Sequence, residues 1–260
     1  MNIYKTFFIG FLLLTLLLQK KGSQAQIVAV KNNDISEDTV GWQLALNIDF
    51  YTTKNTNTLY ASNAGSFLQY KKGKHRIVSM NNYDVILSNS QGETSGENRA
   101  YQHIRYNYLW KEKIVWEAFS QIQYDEILRI QKRLLLGTGP RFNLMKKEKS
   151  DIHLGVAYMY EYEQELDTAV FHRDHRISSF LSADKTFENG HSISTIGYYQ
   201  PVIDNFSDFR VSLGFRLALK IASNLAFNFN VNLNYDAQPV IDEDIPSLTY
   251  NIRNGLSISF

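Results

Sequence analysis

Apolar and polar residues alternate along most of this chain, with a period of two from Gly41 onward. In segment 209–221, apolar residues occupy every odd position, and polar or small residues occupy the even ones. Segment 227–235 repeats the pattern, with asparagine at each even position from Asn228 to Asn234. Successive side chains of a strand point to opposite faces, so each segment has one apolar and one polar face. The pattern therefore predicts an all-β chain.

Twelve strands are predicted, with ten as the alternative because Asn and Ser interrupt the alternation in the second and third. The predicted ranges are 40–51, 58–70, 75–88, 99–110, 113–124, 131–145, 151–163, 175–187, 190–200, 208–221, 225–236 and 248–260. Several exceed the ~5–6 residues of an ordinary soluble strand and reach the ~9–11 that a tilted membrane strand needs. We therefore expect a single antiparallel transmembrane β-barrel over residues 40–260.

The predicted connections alternate between short and long, as in outer-membrane barrels, which have short periplasmic turns and longer outer loops. The short turns fall near 71–74, 111–112, 146–150, 188–189 and 222–224, and the long loops near 52–57, 89–98, 125–130, 164–174, 201–207 and 237–247. The charges segregate in the same way. The short turns carry Lys71, Lys72, Lys74, Lys146, Lys147 and Lys149, and the long loops carry Glu93, Glu97, Glu165, Asp167, Asp242, Glu243 and Asp244.

The first 25 residues have the pattern of a cleaved secretory signal. A charged start precedes an apolar run from Phe7 to Leu18, and the small residues Ser23 and Ala25 precede a cleavage site before Gln26. A retained membrane anchor is the alternative, but this run spans only ~18 Å as a helix, against a hydrocarbon core of ~30 Å. We expect export of the chain, with residues 26–39 as a short periplasmic lead.

Alternation alone does not say whether the apolar face meets lipid or a protein core, since a secreted sandwich or a lipocalin-like barrel has the same period. Charged residues in mid-strand favour a wet lumen, with the apolar face toward lipid. These predicted lumen charges are Arg105, Glu117, Arg141, Glu161, Arg210, Arg216 and Arg253. Tyr and Trp also cluster toward the strand ends, as in an interfacial girdle.

The C-terminus resembles the signal that outer-membrane barrels present to their assembly machinery. Arg253, Gly255, Ile258 and Phe260 occupy its polar, glycine, apolar and terminal aromatic positions. The resemblance implies that the barrel assembly machinery is a partner during biogenesis. We expect Phe260 to lie on the lipid face.

The middle of the chain resembles a family of uncharacterised barrels labelled salt-induced outer-membrane proteins, a domain of unknown function, in the version found in Bacteroidota. The resemblance rests on segments 105–108 (RYNY), 116–124 (WEAFSQIQY) and 136–142 (LGTGPRF). It is specific over 99–145, extends to 41–83, and is a matter of pattern afterwards. It implies a barrel in the outer membrane of a Gram-negative cell and assigns no catalytic residue.

Composition excludes several kinds of chemistry. The chain has no cysteine, which excludes disulfides, thiolate metal sites and cysteine nucleophiles. Its 27 Lys and Arg against 26 Asp and Glu give no basic field for nucleic acid. Segment 137–140 (GTGP) lacks the lysine and third glycine of a phosphate loop. We expect its glycines to make room for neighbours in the lumen, and a β-bulge at Pro140.

Histidine offers few candidate sites. His172 and His175 flank Arg173 and Asp174 in a predicted outer loop, which favours a solvated polar segment over a metal site. No histidine has a serine two residues after it, the spacing that barrel lipases and deacylases use on one strand face. No catalytic, metal or cofactor site is predicted.

The sequence favours a non-enzymatic role, either in envelope structure or as a narrow porin-like conduit for small polar solutes. One alternative is a lipid- or envelope-modifying enzyme with a histidine, serine or acid site that the sequence does not reveal. Another is a surface-binding barrel that uses the loops 164–174 and 237–247. Outer-membrane lipid and lipopolysaccharide are expected partners. We expect long charged side chains to narrow the lumen, and Arg141 and Arg216 to be among those that block it.

Overall fold

A computed structural model describes residues 39–54, 57–90, 93–239 and 245–258 of the chain. The predicted signal, most of the predicted lead, and Phe260 lie outside these ranges. Twelve strands are present, as predicted. They are β1 (Gly41–Lys54), β2 (Thr58–Lys72), β3 (His75–Ser90), β4 (Glu93–Lys111), β5 (Ile114–Asp125), β6 (Ile130–Lys147), β7 (Ser150–Glu165), β8 (Phe171–Thr186), β9 (Ser192–Pro201), β10 (Phe209–Ala222), β11 (Leu225–Asp236) and β12 (Leu248–Ile258).

The strands form one sheet in which each is hydrogen-bonded to its neighbours in sequence, and every neighbouring pair is antiparallel. The sheet curls around a lumen, so that Tyr198 on β9 lies against Arg105 on β4. The fold is thus a twelve-stranded antiparallel β-barrel. Within the described ranges no pairing joins β1 to β12, and the ladder ends at these two strands.

The two faces of the sheet differ as the alternation predicts. On β1 the side chains from Trp42 to Phe50 that face outward are 61–79% exposed. The outward residues of the other strands continue this apolar surface, for example Ile122 on β5 and Leu181 on β8, which are both exposed. Polar and charged side chains such as Gln121 and Glu161 are buried on the inner face. The described residues contain no helix long and apolar enough to cross a bilayer.

The connections keep the predicted alternation only in part. The loops predicted at 52–57 and 89–98 are partly strand, because β1 continues to Lys54, β3 continues to Ser90 and β4 begins at Glu93. Strands β3 and β4 pair in register up to that end, so the ladder extends beyond the apolar part of the sequence. The outer connections lengthen later in the chain, to 202–208 and 237–247. On the opposite side, the turns at 73–74, 112–113, 148–149 and 223–224 are short, and 187–191 is longer.

The expected bulge at Pro140 is absent. Thr138 pairs with Tyr158 and Arg141 with Gly155, so the register between β6 and β7 is the same on both sides of Pro140. The ladder is interrupted at Gly139 and Pro140 instead, which accommodates the missing N–H of proline without an extra residue. The two strands come very close here, since a Cβ at Gly139 would lie 2.2 Å from the carbonyl oxygen of Val156.

Candidate functional site

The lumen is the candidate functional site, because the inner face gathers most of the buried polar side chains of the described residues. It is built in three levels along the barrel axis. A cluster of ion pairs lies at the end of the long loops, apolar side chains line the middle, and a cavity opens at the end of the short turns.

The ion-pair cluster, called the outer cluster below, contains three arginines and five acids from β6, β7, β8, β10, β11 and the loop before β10. Its members are Arg133, Glu161, Glu163, Asp174, Arg176, Asp208, Arg210 and Asp236. All the strand members lie near connections 126–129, 166–170, 202–208 and 237–247. The cluster therefore ties together the loop ends of five strands.

Glu161 is the centre of the outer cluster and is 1% exposed. Arg133 Nε lies 3.2 Å from Glu161 Oε1, and Arg176 Nε lies 2.7 Å from Oε2. Arg210 Nη1 also donates to Glu161 Oε1. A carboxylate offers two oxygens with about four acceptor positions, so one side chain can hold three guanidinium groups.

Each of the three arginines has further acidic partners. Arg133 Nε donates to Glu163 Oε2 at 2.6 Å, and Arg210 Nε donates to Asp236 Oδ2 at 2.7 Å. Arg176 reaches the carboxylates of Asp174 and Asp208, each at 3.1 Å. Buried charges persist in proteins when they are paired and hydrogen-bonded in this way. The outer cluster is thus a closed constriction made of side chains.

The described ends of the connection between β11 and β12, at 237–239 and 245–247, lie beside this constriction. Ile245 and Pro246 face Leu128 and Ile130 around a small cavity of about 40 Å³. The loop end of the lumen is therefore narrow in the described part of the chain.

The middle of the lumen is apolar. Leu135, Met159 and Tyr198 are buried there and pack against Phe119, Phe180 and Ile196. A second apolar group, on β2 and β3, consists of Phe67, Val78 and Met80, with Ala45 and Tyr101 against it. These residues are in register with the charged inner residues of the same strands. The lumen is therefore not lined by polar side chains alone.

Two glycines leave room for the aromatic rings of this apolar level. A Cβ at Gly137 would lie 2.2 Å from the Phe119 ring, and one at Gly155 would lie 2.0 Å from the Phe180 ring. The two aromatic rings thus occupy the space that a side chain at Gly137 or Gly155 would need. The prediction that inner glycines of β6 make room for neighbours is confirmed at Gly137.

The cavity, called the inner cavity below, has a volume of about 650 Å³ and reaches the short-turn end, where Gly73, Lys74 and Lys149 line it. It is strongly cationic, with nine Lys and Arg among its lining residues against three acids. The cations are Lys71, Lys74, Arg76, Arg105, Arg141, Lys146, Lys149, Lys185 and Arg216, and the acids are Glu148, Asp151 and Asp184.

One wall of the inner cavity carries a compact polar group. Glu117 on β5 is 5% exposed and lies between two guanidinium groups, with Arg141 Nε at 3.4 Å and Arg105 Nη1 at 4.0 Å. Asn107 on β4 pairs in register with Arg76 on one side and Glu117 on the other. It is 3% exposed, and neither polar atom of its side chain has a hydrogen-bond partner among the described residues.

The seven predicted lumen charges all lie on the inner face, at three places. Arg105, Glu117 and Arg141 meet on one wall, and Glu161 and Arg210 meet in the outer cluster. Arg216 lies level with Arg253, separated by Asn230 on the strand between them. Arg253 Nε donates to Asn251 Oδ1 at 2.9 Å. Arg141 and Arg216 line the wide inner cavity, so the narrow part of the lumen is elsewhere.

The C-terminal assembly residues are described as far as Ile258. Arg253 and Gly255 pair with Asn230 and Asn228, so they share the inner face of β12. Ile258 is 58% exposed on the outer face, with Leu256 and Ile252.

Sequence reasoning missed several residues of the site. Arg133 and Glu163 follow the same alternation as Leu135 and Glu161, and this register was the available signal. Arg176 lies at the start of the predicted strand 175–187 and its partner Asp174 in the predicted loop 164–174, whereas β8 begins at Phe171 and carries both. The apolar inner residues Phe119 and Met159 were missed because alternation was taken to separate apolar from polar faces.

The histidines form no hydroxyl dyad with serine among the hydrogen bonds of the described residues. His172 Nε2 lies 3.2 Å from Glu165 Oε1, while His175 contacts the Tyr158 hydroxyl on the outer face. These two imidazoles thus point to opposite sides of β8. His103 Nδ1 lies 3.1 Å from Gln121 Oε1 in the lumen. No group of three or more metal-ligating side chains occurs within the described ranges.

Comparison with known proteins gives one family match and several similar solved structures. The family described as "Protein of unknown function, DUF481" matches residues 42–252 and thereby confirms the resemblance indicated by the middle of the chain. No protein with a curated description matches. Among solved structures, the NanC porin in a rhombohedral crystal form is similar, with 12% identity over 83% of this chain and 100% of that chain, and a TM-score of 0.47. The KdgM porin is similar with 11% identity over 83% and 99%, and a TM-score of 0.41.

Proposed function

We propose that this chain, which belongs to the DUF481 family of proteins of unknown function, is a narrow conduit for small polar solutes in the outer membrane of a Gram-negative cell. The observation that carries the proposal is the unequal lumen. A cavity of about 650 Å³ at the short-turn end leads through an apolar level to a constriction of ion pairs. The apolar outer face supports a position in lipid, and export by a signal over residues 1–25 is part of the proposal.

The constriction is made of side chains, so it can open and close. A folded-in plug would block the lumen permanently, whereas ion pairs exchange partners when the strands that carry them move. The outer cluster joins β6, β7, β8, β10 and β11, so small shifts of these strands change the width of the path. The closed state described here is then the resting state of the conduit.

Planar-bilayer recording tests the proposal. Wild-type protein should show little conductance, because the outer cluster is closed. The double variant Glu163→Ser with Arg210→Ser removes one acid and one base together, so the formal charge is unchanged and the constriction loses two long side chains. It should conduct in steady steps, and vesicles that contain it should swell in arabinose, a small neutral solute.

The matched control is the double variant Arg129→Asn with Asp167→Asn. This pair lies at the same end of the barrel, with Arg129 Nη2 3.3 Å from Asp167 Oδ2, and Asp167 is exposed. Both residues have a positive φ, which asparagine tolerates. The control should stay as silent as the wild type. A folded Glu163→Ser, Arg210→Ser variant that remained silent, or a wild-type barrel with large steady conductance, would overturn the proposed constriction.

A further inference from the structure

The inner cavity has the features of a binding site, beyond those of a passage. Its lining holds nine cationic and three acidic side chains, so the formal balance strongly favours anions. A cleft of one sign of charge with low-dielectric walls concentrates counter-ions. The outer cluster, with three arginines and five acids, has the opposite balance.

Asn107 shows where a ligand would complete the structure. Its amide is buried against the inner cavity, and neither polar atom has a partner among the described residues. A buried amide without hydrogen bonds costs free energy, and in a native structure such a group calls for a water, an ion or a ligand. Its N–H groups can donate to an anion, and its oxygen can accept from a protonated group.

The neighbouring charges supply the rest of an anion site. The guanidinium groups of Arg105 and Arg141 both lie near the carboxylate of Glu117, at 4.0 and 3.4 Å. Charge-assisted hydrogen bonds are usually about 2.7–2.9 Å long, and a guanidinium can hold a carboxylate through two parallel bonds. The carboxylate of a solute beside Glu117 would meet both guanidinium groups and the amide of Asn107.

Part of the cavity wall, next to the polar group, is apolar. Val78 and Val115 are buried at 3% and 5% exposure, and both line the cavity beside the polar wall. Phe67 and Phe180 contribute aromatic surface. An inorganic anion would leave these walls against water, whereas an organic acid with an apolar body would cover them. A volume of about 650 Å³ lies within the usual range for small-molecule sites, roughly 300–1,000 Å³.

We propose that the inner cavity binds a small organic carboxylate with an apolar body, held at its carboxylate by Arg105, Arg141 and Asn107. This inference rests on the proposed function, because it names the class of solute that enters the conduit from the short-turn end.

Calorimetric titration of the purified, detergent-folded barrel with 4-phenylbutyrate tests the inference. We expect saturable binding that is much weaker for 4-phenylbutanol, which lacks the charge, and for acetate, which lacks the apolar body. The variants Arg105→Gln, Arg141→Gln and Asn107→Leu should each weaken phenylbutyrate binding, the arginine variants by about tenfold or more, as expected for a lost charge-assisted hydrogen bond. Lys132→Gln, an equal charge change at an exposed position, is the matched control.

Glu117→Gln separates a binding role from a structural one. It removes the carboxylate that competes for both guanidinium groups, so phenylbutyrate should bind more tightly than in wild type. Heat-dependent gel migration checks that each variant is folded. Equal binding of the acid and the alcohol, no effect of the arginine substitutions in folded protein, or weaker binding by folded Glu117→Gln would each overturn the inference.

Binding and conduction can fail separately. A barrel whose outer-cluster variant conducts but which does not bind phenylbutyrate overturns the ligand class alone. A barrel that binds phenylbutyrate but stays silent in every folded variant overturns the conduit alone.

Discussion

Replacing Glu161 with glutamine tests whether the outer cluster is a dry, interdependent network. The substitution keeps the shape of the side chain and removes its charge. Glu161 is 1% exposed and faces guanidinium groups of Arg133, Arg176 and Arg210. The amide of glutamine would direct N–H donors at groups that are themselves donors only.

The loss of stability in Glu161→Gln depends on the acidic partners that the three arginines keep. Arg133 keeps Glu163, Arg210 keeps Glu163 and Asp236, and Arg176 keeps two aspartates, each at 3.1 Å. No arginine is left entirely without an acid, so the cost should lie at the low end of the range for breaking a buried ion pair. That range is about 3–5 kcal/mol, and we expect the free energy of unfolding to fall by about 3 kcal/mol.

Urea unfolding of the barrel in lipid vesicles, followed by gel mobility of the folded form, measures this loss. Glu188→Gln is the control, because Glu188 is 88% exposed in its pair with Lys149 and should contribute at most about 1 kcal/mol. If Glu161→Gln changed the free energy of unfolding no more than the control does, water would have to reach the cluster. The constriction would then not be closed as described.

Two further predictions concern the fold and its assembly, one by substitution and one by deletion. Gly139→Ala should destabilise the barrel strongly, because the new Cβ would lie 2.2 Å from the Val156 carbonyl oxygen and 2.5 Å from Ala157 Cα. Gly197→Ala is the control and should be tolerated, because the nearest neighbour of its Cβ would lie at 3.8 Å. Similar urea midpoints for the two variants would contradict the close approach of β6 and β7. Deleting Phe260 should lower the amount of barrel in the outer membrane far more than Ser259→Ala, as measured in membrane fractions, and equal amounts would argue against a C-terminal assembly signal.

The sequence was a good guide to the strands because alternation is a local property. The period of two in 209–221 and 227–235 predicted β10 and β11 to within a few residues, and the inner position of Arg210 followed from it. Strand ends were harder to predict. Residues 89–98 look like a loop in composition, yet Ser90 and Glu93 both belong to strands, because pairing between β3 and β4 extends the ladder past the apolar part of each.

The lumen was only partly predictable because its contacts join residues distant in sequence. The pairing of Glu161 with Arg210 depends on the curvature of the sheet, and the charge pattern did not specify which carboxylate each arginine would meet. Phe119 and Phe180 show a second limit. Each is inside the barrel because a glycine on the neighbouring strand leaves room for its ring, and such a pairing of large and small residues cannot be seen until the register is known.

The unequal distribution of charge along the lumen has a kinetic consequence. A negatively charged solute that enters from the short-turn side meets nine cationic side chains, and beyond the apolar level it meets a cluster in which acids outnumber arginines. Its escape toward the loop end is opposed while its return is open, so its residence time is governed by the short-turn mouth. The barrel would then retain such a solute until it leaves through the short-turn mouth. Exit at the loop end would require the outer cluster to open.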